Sequence, residues 1–153
     1  MLTARFDGGC VKNPGGHAAC ACVIQHGAAE VYRHSRYLGF GPEQSNNVAE
    51  FHGIKAILEW YIAAKTKQPI LIRGDSQIVI FRMQGRYPKP AAGLCARVAR
   101  ECIELRNQIP ENQISFQWQR RAHNDVCDSM CDLLIEAAMS SATMLAADVE
   151  VRA

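Results

Sequence analysis

Long apolar runs are missing from this sequence of 153 residues, and their absence excludes a helix that crosses a membrane. The longest uninterrupted apolar segment runs from Ala18 to Ile24, whereas a bilayer requires roughly 20 residues. Met1 to Asp7 also lack a basic segment followed by an apolar one, so no secretory signal is expected. We therefore expect a cytoplasmic protein without a membrane partner.

Paired cysteine motifs are missing too, although the chain contains seven cysteines. An odd number without a secretory signal favours reduced thiols in a reducing compartment. The cysteines occur at strand or helix spacing beside apolar residues, so we interpret them as small buried side chains. A zinc site formed by His123, Cys127 and Cys131 is disfavoured, because no Cys-x-x-Cys pair accompanies these residues.

Internal repeats, low-complexity tracts and Pro/Ser-rich linkers are absent, which favours a single domain. Hydrophobic residues make up 48% of the chain and charged residues 21%, with a formal net charge of +2. This composition excludes intrinsic disorder and collagen-like repeats. We place one domain at residues 1–139 and interpret residues 140–153 as a C-terminal tail.

The hydrophobic pattern changes from strand to helix period along the chain. Leu2, Ala4 and Phe6 alternate with polar residues, and further strands at 18–25 and 30–38 complete an antiparallel meander. An amphipathic helix follows at 46–64, with Ser45 as its cap. The later elements are a strand at 69–73, helices at 77–84 and 91–106 separated by a break at 87–90, a strand at 114–119 and a helix at 124–139.

This order of elements predicts an α/β (mixed α+β) fold, in which helices cover a mixed sheet. In such sheets a ligand binds in the crevice beyond the carboxyl ends of parallel strands. Asp7 lies towards the end of the first strand, and Asp75 comes just after the fourth. If these two strands are neighbours, the two carboxylates meet at that crevice.

Two of the acidic residues have a structural explanation as well as a functional one. Glu50 lies on the helix face that should pack on the sheet, where an uncompensated carboxylate is costly. Its alternative is a partly solvated place in the first helical turn, favoured by the helix dipole. Asp75, beside Ser76, alternatively caps the following helix. Asp7 is harder to explain structurally, because aspartate is disfavoured in strands.

Asp128 belongs to an acidic line at helical spacing with Asp125, Asp132 and Glu136. Such a line is typical of a solvated helix face. Its place in the first turn of the last helix nevertheless allows Asp128 to face the same crevice. Converging carboxylates repel one another unless divalent cations compensate them, and hard oxygen ligands favour Mg2+ or Mn2+. Two such ions suit in-line attack on a phosphodiester.

Four short motifs occur in order along the chain, over Met1 to about Met139. They are Asp7-Gly8-Gly9-Cys10 with Asn13-Pro14-Gly15-Gly16, Ser45-Asn46-Asn47-Val48-Ala49-Glu50, Gly74-Asp75-Ser76-Gln77, and Asn124-x-x-Cys127-Asp128. Together they resemble the motifs of the ribonuclease H type 1 family. The resemblance implies the ribonuclease H-like fold, a five-stranded mixed sheet with helices on both sides.

The resemblance also implies an activity and the residues that perform it. The activity is two-metal-ion hydrolysis of the RNA strand of an RNA–DNA hybrid, which leaves a 3′-hydroxyl and a 5′-phosphate. The implied catalytic and metal ligands are Asp7, Glu50, Asp75 and Asp128, with two Mg2+ ions or Mn2+ in their place. The implied substrate-binding residues are Asn13, Ser45, Asn46, Asn47 and Gln77. Amide side chains suit recognition of a 2′-hydroxyl, because they both donate and accept hydrogen bonds.

Two features depart from the family pattern. No long lysine-rich insertion occupies the segment from Arg82 to Arg97, so we expect modest substrate affinity with a marked salt dependence. The available basic residues there are Arg82, Arg86, Lys89, Arg97 and Arg100. The stretch before His123 is short as well, and a surface histidine is favoured over a role in proton transfer or product release. A monomer is expected.

Three alternative functions remain open: a non-catalytic nucleic-acid-binding module, another nuclease of the ribonuclease H-like superfamily, and a plain interaction domain. Four acidic residues argue against the first, and the amide pattern argues against the second. The charge balance also fits a polyanionic substrate. Setting the four candidate ligands aside leaves 11 of the 15 acidic residues against 17 basic ones, which indicates a moderately basic surface around an acidic site.

Overall fold

The computed structural model describes residues 1–86 and 93–152, with side chains described as far as residue 141. This part of the chain contains five strands and four helices, together with short 3-10 turns at Glu111–Gln113 and Arg121–His123. The elements are β1 (Leu2–Val11), β2 (His17–His26), β3 (Ala29–Phe40), α1 (Asn46–Ala64), β4 (Ile70–Gly74), α2 (Gln77–Met83), α3 (Gly93–Arg106), β5 (Ile114–Trp118) and α4 (Asp125–Arg152). None of the described helices combines the length and apolar character that a membrane span requires.

The five strands form one mixed sheet in the order β3-β2-β1-β4-β5. The strands β1, β2 and β3 pair antiparallel, whereas β4 pairs parallel with both β1 and β5. The predicted five-stranded mixed sheet is therefore confirmed. The parallel pairing of β1 with β4 ends at Arg5 and Arg73, so the following residues of both strands line a crevice.

Helices cover both faces of the sheet because side chains alternate between the faces along each strand. The helices α1, α2 and α3 enclose the larger core, to which β1 contributes Leu2, Ala4 and Phe6. On the other face, α4 packs on β2 through a smaller cluster. Its buried members are Ala19, Ala21, Val23, Cys127, Cys131 and Ile135.

Two glycines let α1 approach β1 more closely than other residues would allow. A methyl group on Gly8 would overlap the backbone of the first turn of α1. On the helix side, a Cβ on Gly53 would lie 3.1 Å from the carbonyl oxygen of Asp7. Glycine in a strand often marks such a close backbone approach. The beginning of α1 is consequently held directly over the second half of β1.

All seven cysteines are free thiols, and six of them are buried. Burial raises the pKa of Cys22, Cys102 and Cys127 to about 12. Within the described residues, His123, Cys127 and Cys131 do not come together as a group of metal ligands. The interpretation of the cysteines as small buried side chains is confirmed for all but Cys95, which is half-buried.

Two elements extend well beyond their predicted ends. β1 continues through both of its glycines to Val11, and α4 continues past Met139 as one helix to Arg152. The division of the chain into a domain and a tail at residue 139 stays a prediction. The predicted helix break at 87–90, the start of the next helix at residue 91 and the basic residue Lys89 lie outside the described residues.

Candidate active site

Three carboxylates from three different elements meet beyond the end of the β1–β4 pair. The pairing of β1 with β4 ends at Arg5 and Arg73, and Asp7 and Asp75 each follow two residues later. Glu50 joins them as the fifth residue of α1, at the point where the helix backbone rests on Gly8. One oxygen from each carboxylate lies within 4.8 Å of the others. The expected meeting of Asp7 with Asp75 is confirmed, and Glu50 completes the group.

The carboxylates of this group are withdrawn from solvent. Asp7 is 2% exposed and Glu50 is 5% exposed, while the side chain of Asp75 is 8% exposed. A partly solvated place for Glu50 is therefore wrong, and one of its oxygens has no hydrogen-bond partner in the described structure. The cap of α2 is Ser76, whose Oγ accepts a hydrogen bond from the amide of Val79 at 3.3 Å.

Burial and mutual repulsion raise the pKa values of Asp7 and Glu50. The pKa of Asp7 is raised to about 7, chiefly by burial and then by the negative charges of Asp75 and Asp128. Burial and the charge of Asp7 raise the pKa of Glu50 well above its usual range. In its protonated form, Glu50 donates a hydrogen bond to Asp7. The Gly8 amide donates a second one to Asp7, at 2.9 Å.

Asp128 lies beside this group rather than in it. It is half-buried in the first turn of α4, and its carboxylate is not among those within 4.8 Å of one another. Its charge nevertheless contributes to the raised pKa of Asp7. Asp132 is exposed, and the acidic neighbours that raise its pKa, after burial, are Asp128 and Glu136. The position of Asp128 is thus the closer of the two to the carboxylate group.

The donor set of this site fits a divalent cation. Three oxygen ligands converge, and one buried oxygen of Glu50 lacks a partner. In the described part of the chain, the cation within salt-bridge distance of these carboxylates is Arg121, whose Nε lies 3.9 Å from Asp75. The Arg121 side chain is 81% exposed, so its charge is largely screened by solvent. Carboxylate oxygens favour hard cations such as Mg2+ and Mn2+.

The amide side chains expected to bind substrate brace β1 against α1. The Oδ1 atom of Asn13 accepts a hydrogen bond from the backbone amide of Asn46 at 3.0 Å. The Oδ1 atom of Asn46 accepts one from Cys10 at 2.8 Å. Ser45 caps α1 by accepting from Val48 at 3.1 Å, which confirms the predicted cap. Asn13 and Asn46 remain exposed at the mouth of the crevice.

Comparison with known proteins agrees with this geometry. Residues 5–133 match the sequence model of the reverse transcriptase-like family. The chain belongs to this family. The bifunctional protein Rv2228c of Mycobacterium tuberculosis is 27% identical over 143 residues, which cover 92% of this chain and 37% of that protein. The chain thus spans little more than a third of the curated relatives that it matches.

Solved structures show that this reverse transcriptase-like domain has the ribonuclease H fold, and the resemblance to type 1 ribonuclease H is confirmed. The N-terminal RNase H domain of Rv2228c superposes with a TM-score of 0.80 at 24% identity, over 92% of this chain and 97% of that one. RNase H1 from Halobacterium salinarum gives 0.76 at 26% identity, over 89% and 98%. LC11-RNase H1 in complex with RNA/DNA hybrid gives 0.79 at 22% identity, over 91% and 99%.

The reverse transcriptase-like domain contains a positioning residue to which sequence reasoning assigned no role. Asn124 is 1% exposed, and its Nδ2 donates to the carbonyl oxygen of Phe6 at 2.7 Å. The same nitrogen lies 3.5 Å from Oδ2 of Asp75. Asn124 thereby links the start of α4 to both strands that carry the carboxylates. The sequence signal that could have identified Asn124 is its amide side chain immediately before an amphipathic helix.

The end of β5 supports Asp75 from the other side. Trp118 donates from Nε1 to the carbonyl oxygen of Asp75 at 3.0 Å. The backbone amide of Gln119 donates to the carbonyl oxygen of Gly74 at 2.9 Å. These contacts fix the turn between β4 and α2, and the hydrophobic periodicity of the sequence did not predict them. Gln77 begins α2 from an exposed position, whereas Asn47 is half-buried.

The basic residues that were expected to be available to substrate are only partly exposed as a set. Arg82 was expected to be available to substrate, but it is only 5% exposed because it lies on the inner face of α2. Arg97 and Arg100 are exposed on α3, as expected. His123 is exposed in the turn before α4, in agreement with a surface histidine. Whether His123 takes part in turnover stays a prediction.

Proposed function

We propose that this chain is a metal-dependent endoribonuclease that hydrolyses the RNA strand of RNA–DNA hybrids and leaves 3′-hydroxyl and 5′-phosphate ends. The observation that carries the proposal is the group of Asp7, Glu50 and Asp75, whose oxygens lie within 4.8 Å of one another. Burying three repelling carboxylates costs stability unless a bound cation compensates them. The structural similarity to RNase H1 from Halobacterium salinarum supports a nuclease role for this group.

Each acidic residue has a role in the proposed reaction. Asp7 and Asp75, at the two strand ends, would hold the metal together with Glu50 from α1. Asp128 would add a further carboxylate from the start of α4. When bound, two Mg2+ ions supply positive charge to the attacking and leaving oxygens of an in-line displacement. The protein contributes a fixed, partly dry arrangement of ligands, since Asn124 and Gly8 hold β1 and α1 in place.

Substrate selection is assigned to the polar residues at the mouth of the crevice. Asn13, Ser45, Asn46, Asn47 and Gln77 offer hydroxyl and amide groups to the sugar-phosphate backbone. The 2′-hydroxyl distinguishes RNA from DNA, and amides both donate to it and accept from it. Support for a hybrid substrate comes from the similar LC11-RNase H1, which was solved in complex with RNA/DNA hybrid.

A substrate panel tests the proposal directly. The purified protein is incubated with labelled RNA–DNA hybrid, duplex RNA, duplex DNA and single strands, each with Mg2+, Mn2+ or EDTA. We expect cleavage of the RNA strand of the hybrid only, dependent on metal and lost in Asp7→Asn. Ends are identified by their sensitivity to phosphatase and by ligation. Glu43→Gln, which removes one exposed carboxylate, is the matched control and should retain activity.

Other outcomes would replace the proposal by a stated alternative. Hybrid binding without cleavage under any metal condition would indicate a non-catalytic binding module. Cleavage of duplex DNA in preference to the hybrid would indicate a different nuclease of the ribonuclease H-like superfamily. Hybrid cleavage that survives Asp7→Asn would remove this carboxylate group from the mechanism. A cytoplasmic location and a monomeric state stay predictions.

A further inference from the structure

A second cleft lies between β3 and the outer side of α1, and it shares no residue with the carboxylate group. Its volume is about 370 Å³, within the range of small-molecule sites. Its walls come from β3 and α1, and the buried Cys20 of β2 lies at its base. The lining residues that matter for the argument are Tyr32, His34, Arg36, His52, Lys55 and Trp60.

One wall of this cleft is aromatic. The rings of Tyr32 and Trp60 are stacked with centroids 5.7 Å apart and an interplanar angle of 23°. The ring of His34 is also stacked with that of Tyr32, with centroids 6.2 Å apart and an interplanar angle of 5°. All three side chains are only half-buried. A partly open row of parallel rings is a suitable surface for a planar heterocycle.

The remaining polar lining contains the cations Arg36 and Lys55, the imidazole of His52 and one carboxylate, Glu59. Arg36 is exposed, and no described carboxylate lies within salt-bridge distance of it. Lys55 lies 2.7 Å from Glu101 and 3.8 Å from Glu59, so these two carboxylates more than offset its charge. Of the two lining cations in the described structure, Arg36 is therefore the one open to a phosphate, and its planar guanidinium is well shaped for that group.

From this combination we propose that the cleft binds a nucleoside phosphate, with its base against Trp60 and Tyr32 and its phosphate on Arg36. The imidazole of His52, on the facing wall, supplies a further polar contact. The aromatic rings suit the planar base of such a ligand, and the arginine suits its phosphate. A free mononucleotide and the terminal nucleotide of a strand share this chemistry.

The cleft is separate from the carboxylate group along α1. Its α1 residues extend from His52 to Ala63, whereas Glu50 is the fifth residue of the helix. His52 follows Glu50 by two residues, which places the two side chains about 200° apart around the helix axis and therefore on opposite sides. Occupation of the cleft is therefore independent of the metal-ligand group and is measured with EDTA present.

Binding is tested with AMP, adenosine and inorganic phosphate by 1H–15N NMR in EDTA. The chain has two tryptophans, and their indole signals are assigned with Trp118→Phe. We expect AMP to shift the Trp60 signal saturably and to leave the Trp118 signal in place. Adenosine should bind more weakly than AMP, because it lacks the phosphate. An adenylate oligonucleotide that binds more tightly than AMP would identify a strand end as the source, and equal binding would identify a free nucleotide.

Two arginines of β3 provide a matched pair of variants. Arg36→Gln should weaken AMP binding about tenfold, as expected for a lost charged contact. Arg33→Gln removes the same charge from the opposite face of the strand, where Arg33 pairs with Glu30, and should change binding less than twofold. Equal weakening of AMP binding by both variants would overturn the proposal. So would a shift of the Trp118 signal whose titration midpoint equals that of the Trp60 signal. Absence of a saturable Trp60 shift up to about 10 mM AMP would overturn it too.

Discussion

Replacing Asp7 with asparagine should abolish hydrolysis and at the same time stabilise the metal-free protein. The pKa of Asp7 is raised to about 7 by burial and by its acidic neighbours. Ionising it in the folded state is therefore unfavourable. Asparagine keeps an oxygen for the Gly8 amide but carries no charge. The same carboxylate that the proposed reaction requires is thus a source of instability when no metal compensates it.

The magnitude follows from the difference in pKa between the folded and unfolded chain. A rise from 3.8 to about 7 corresponds to about 4 kcal/mol at 1.36 kcal/mol per unit, taken as an upper value because neighbouring groups relax. The folded state binds the proton more tightly, so the contribution of Asp7 to wild-type stability is fully present below about pH 4 and is lost as the pH rises through about 7. Between about pH 5 and pH 8 the advantage of Asp7→Asn should grow by about 2–3 kcal/mol.

Urea unfolding in EDTA at several pH values measures this difference directly. The exposed Glu43→Gln variant is the control, and its stability should stay within about 0.5 kcal/mol of wild type at each pH. Comparing each variant with wild type at the same pH cancels the titration of the histidines. A difference between Asp7→Asn and wild type that is flat, or that shrinks, from pH 5 to pH 8 would refute the electrostatic argument.

Three further substitutions have defined outcomes. Asn124→Ala leaves the buried carbonyl of Phe6 without its donor. It should lower the free energy of unfolding, measured with urea, by about 1–3 kcal/mol. In the cleavage assay it should lower kcat by a larger factor than it changes KM. Gly8→Ala places a methyl group on the backbone of α1 and should destabilise the fold by about 2–3 kcal/mol, with thermal unfolding as the readout. Asp128→Asn should reduce hybrid cleavage by on the order of tenfold or more, whereas Asp132→Asn should leave it nearly unchanged. The reverse result in the cleavage assay would mean that the functional acid of α4 is Asp132.

Much of the fold was predictable because hydrophobic periodicity directly reports which side chains are buried. The helix predicted at 46–64 matches α1 in both bounds, and its apolar stripe is buried. The hydrophobic pattern did not show whether β1 and β4 are neighbours, and the meeting of Asp7 with Asp75 was predicted only on that condition. The helix before β4 allows parallel pairing, since parallel strands require a crossover, but the strand order itself comes from the structure.

The remaining features depend on contacts between distant residues, which a local pattern does not contain. Glycine is disfavoured in strands, yet β1 continues through Gly8 and Gly9 because helices press on both faces there. A Cβ on Gly9 would lie 3.4 Å from the side chain of Ile135 in α4. Asn124 was likewise undetectable as a link to Phe6, 118 residues earlier in the chain. Such polar contacts are fixed by the assembled layers and leave no period in the sequence.

The buried free thiols give the two helical layers separate chemical reporters. Cys102 lies on α3, where its thiol contacts the carbonyl oxygen of Phe51 in α1, and Cys127 and Cys131 lie on the buried side of α4. Their pKa values are raised by burial, so alkylation has to wait for local opening. Pulsed alkylation followed by mass spectrometry would consequently record how often each layer separates from the sheet. A ligand that tightens only one layer would slow the labelling of that layer's cysteines and leave the others unchanged.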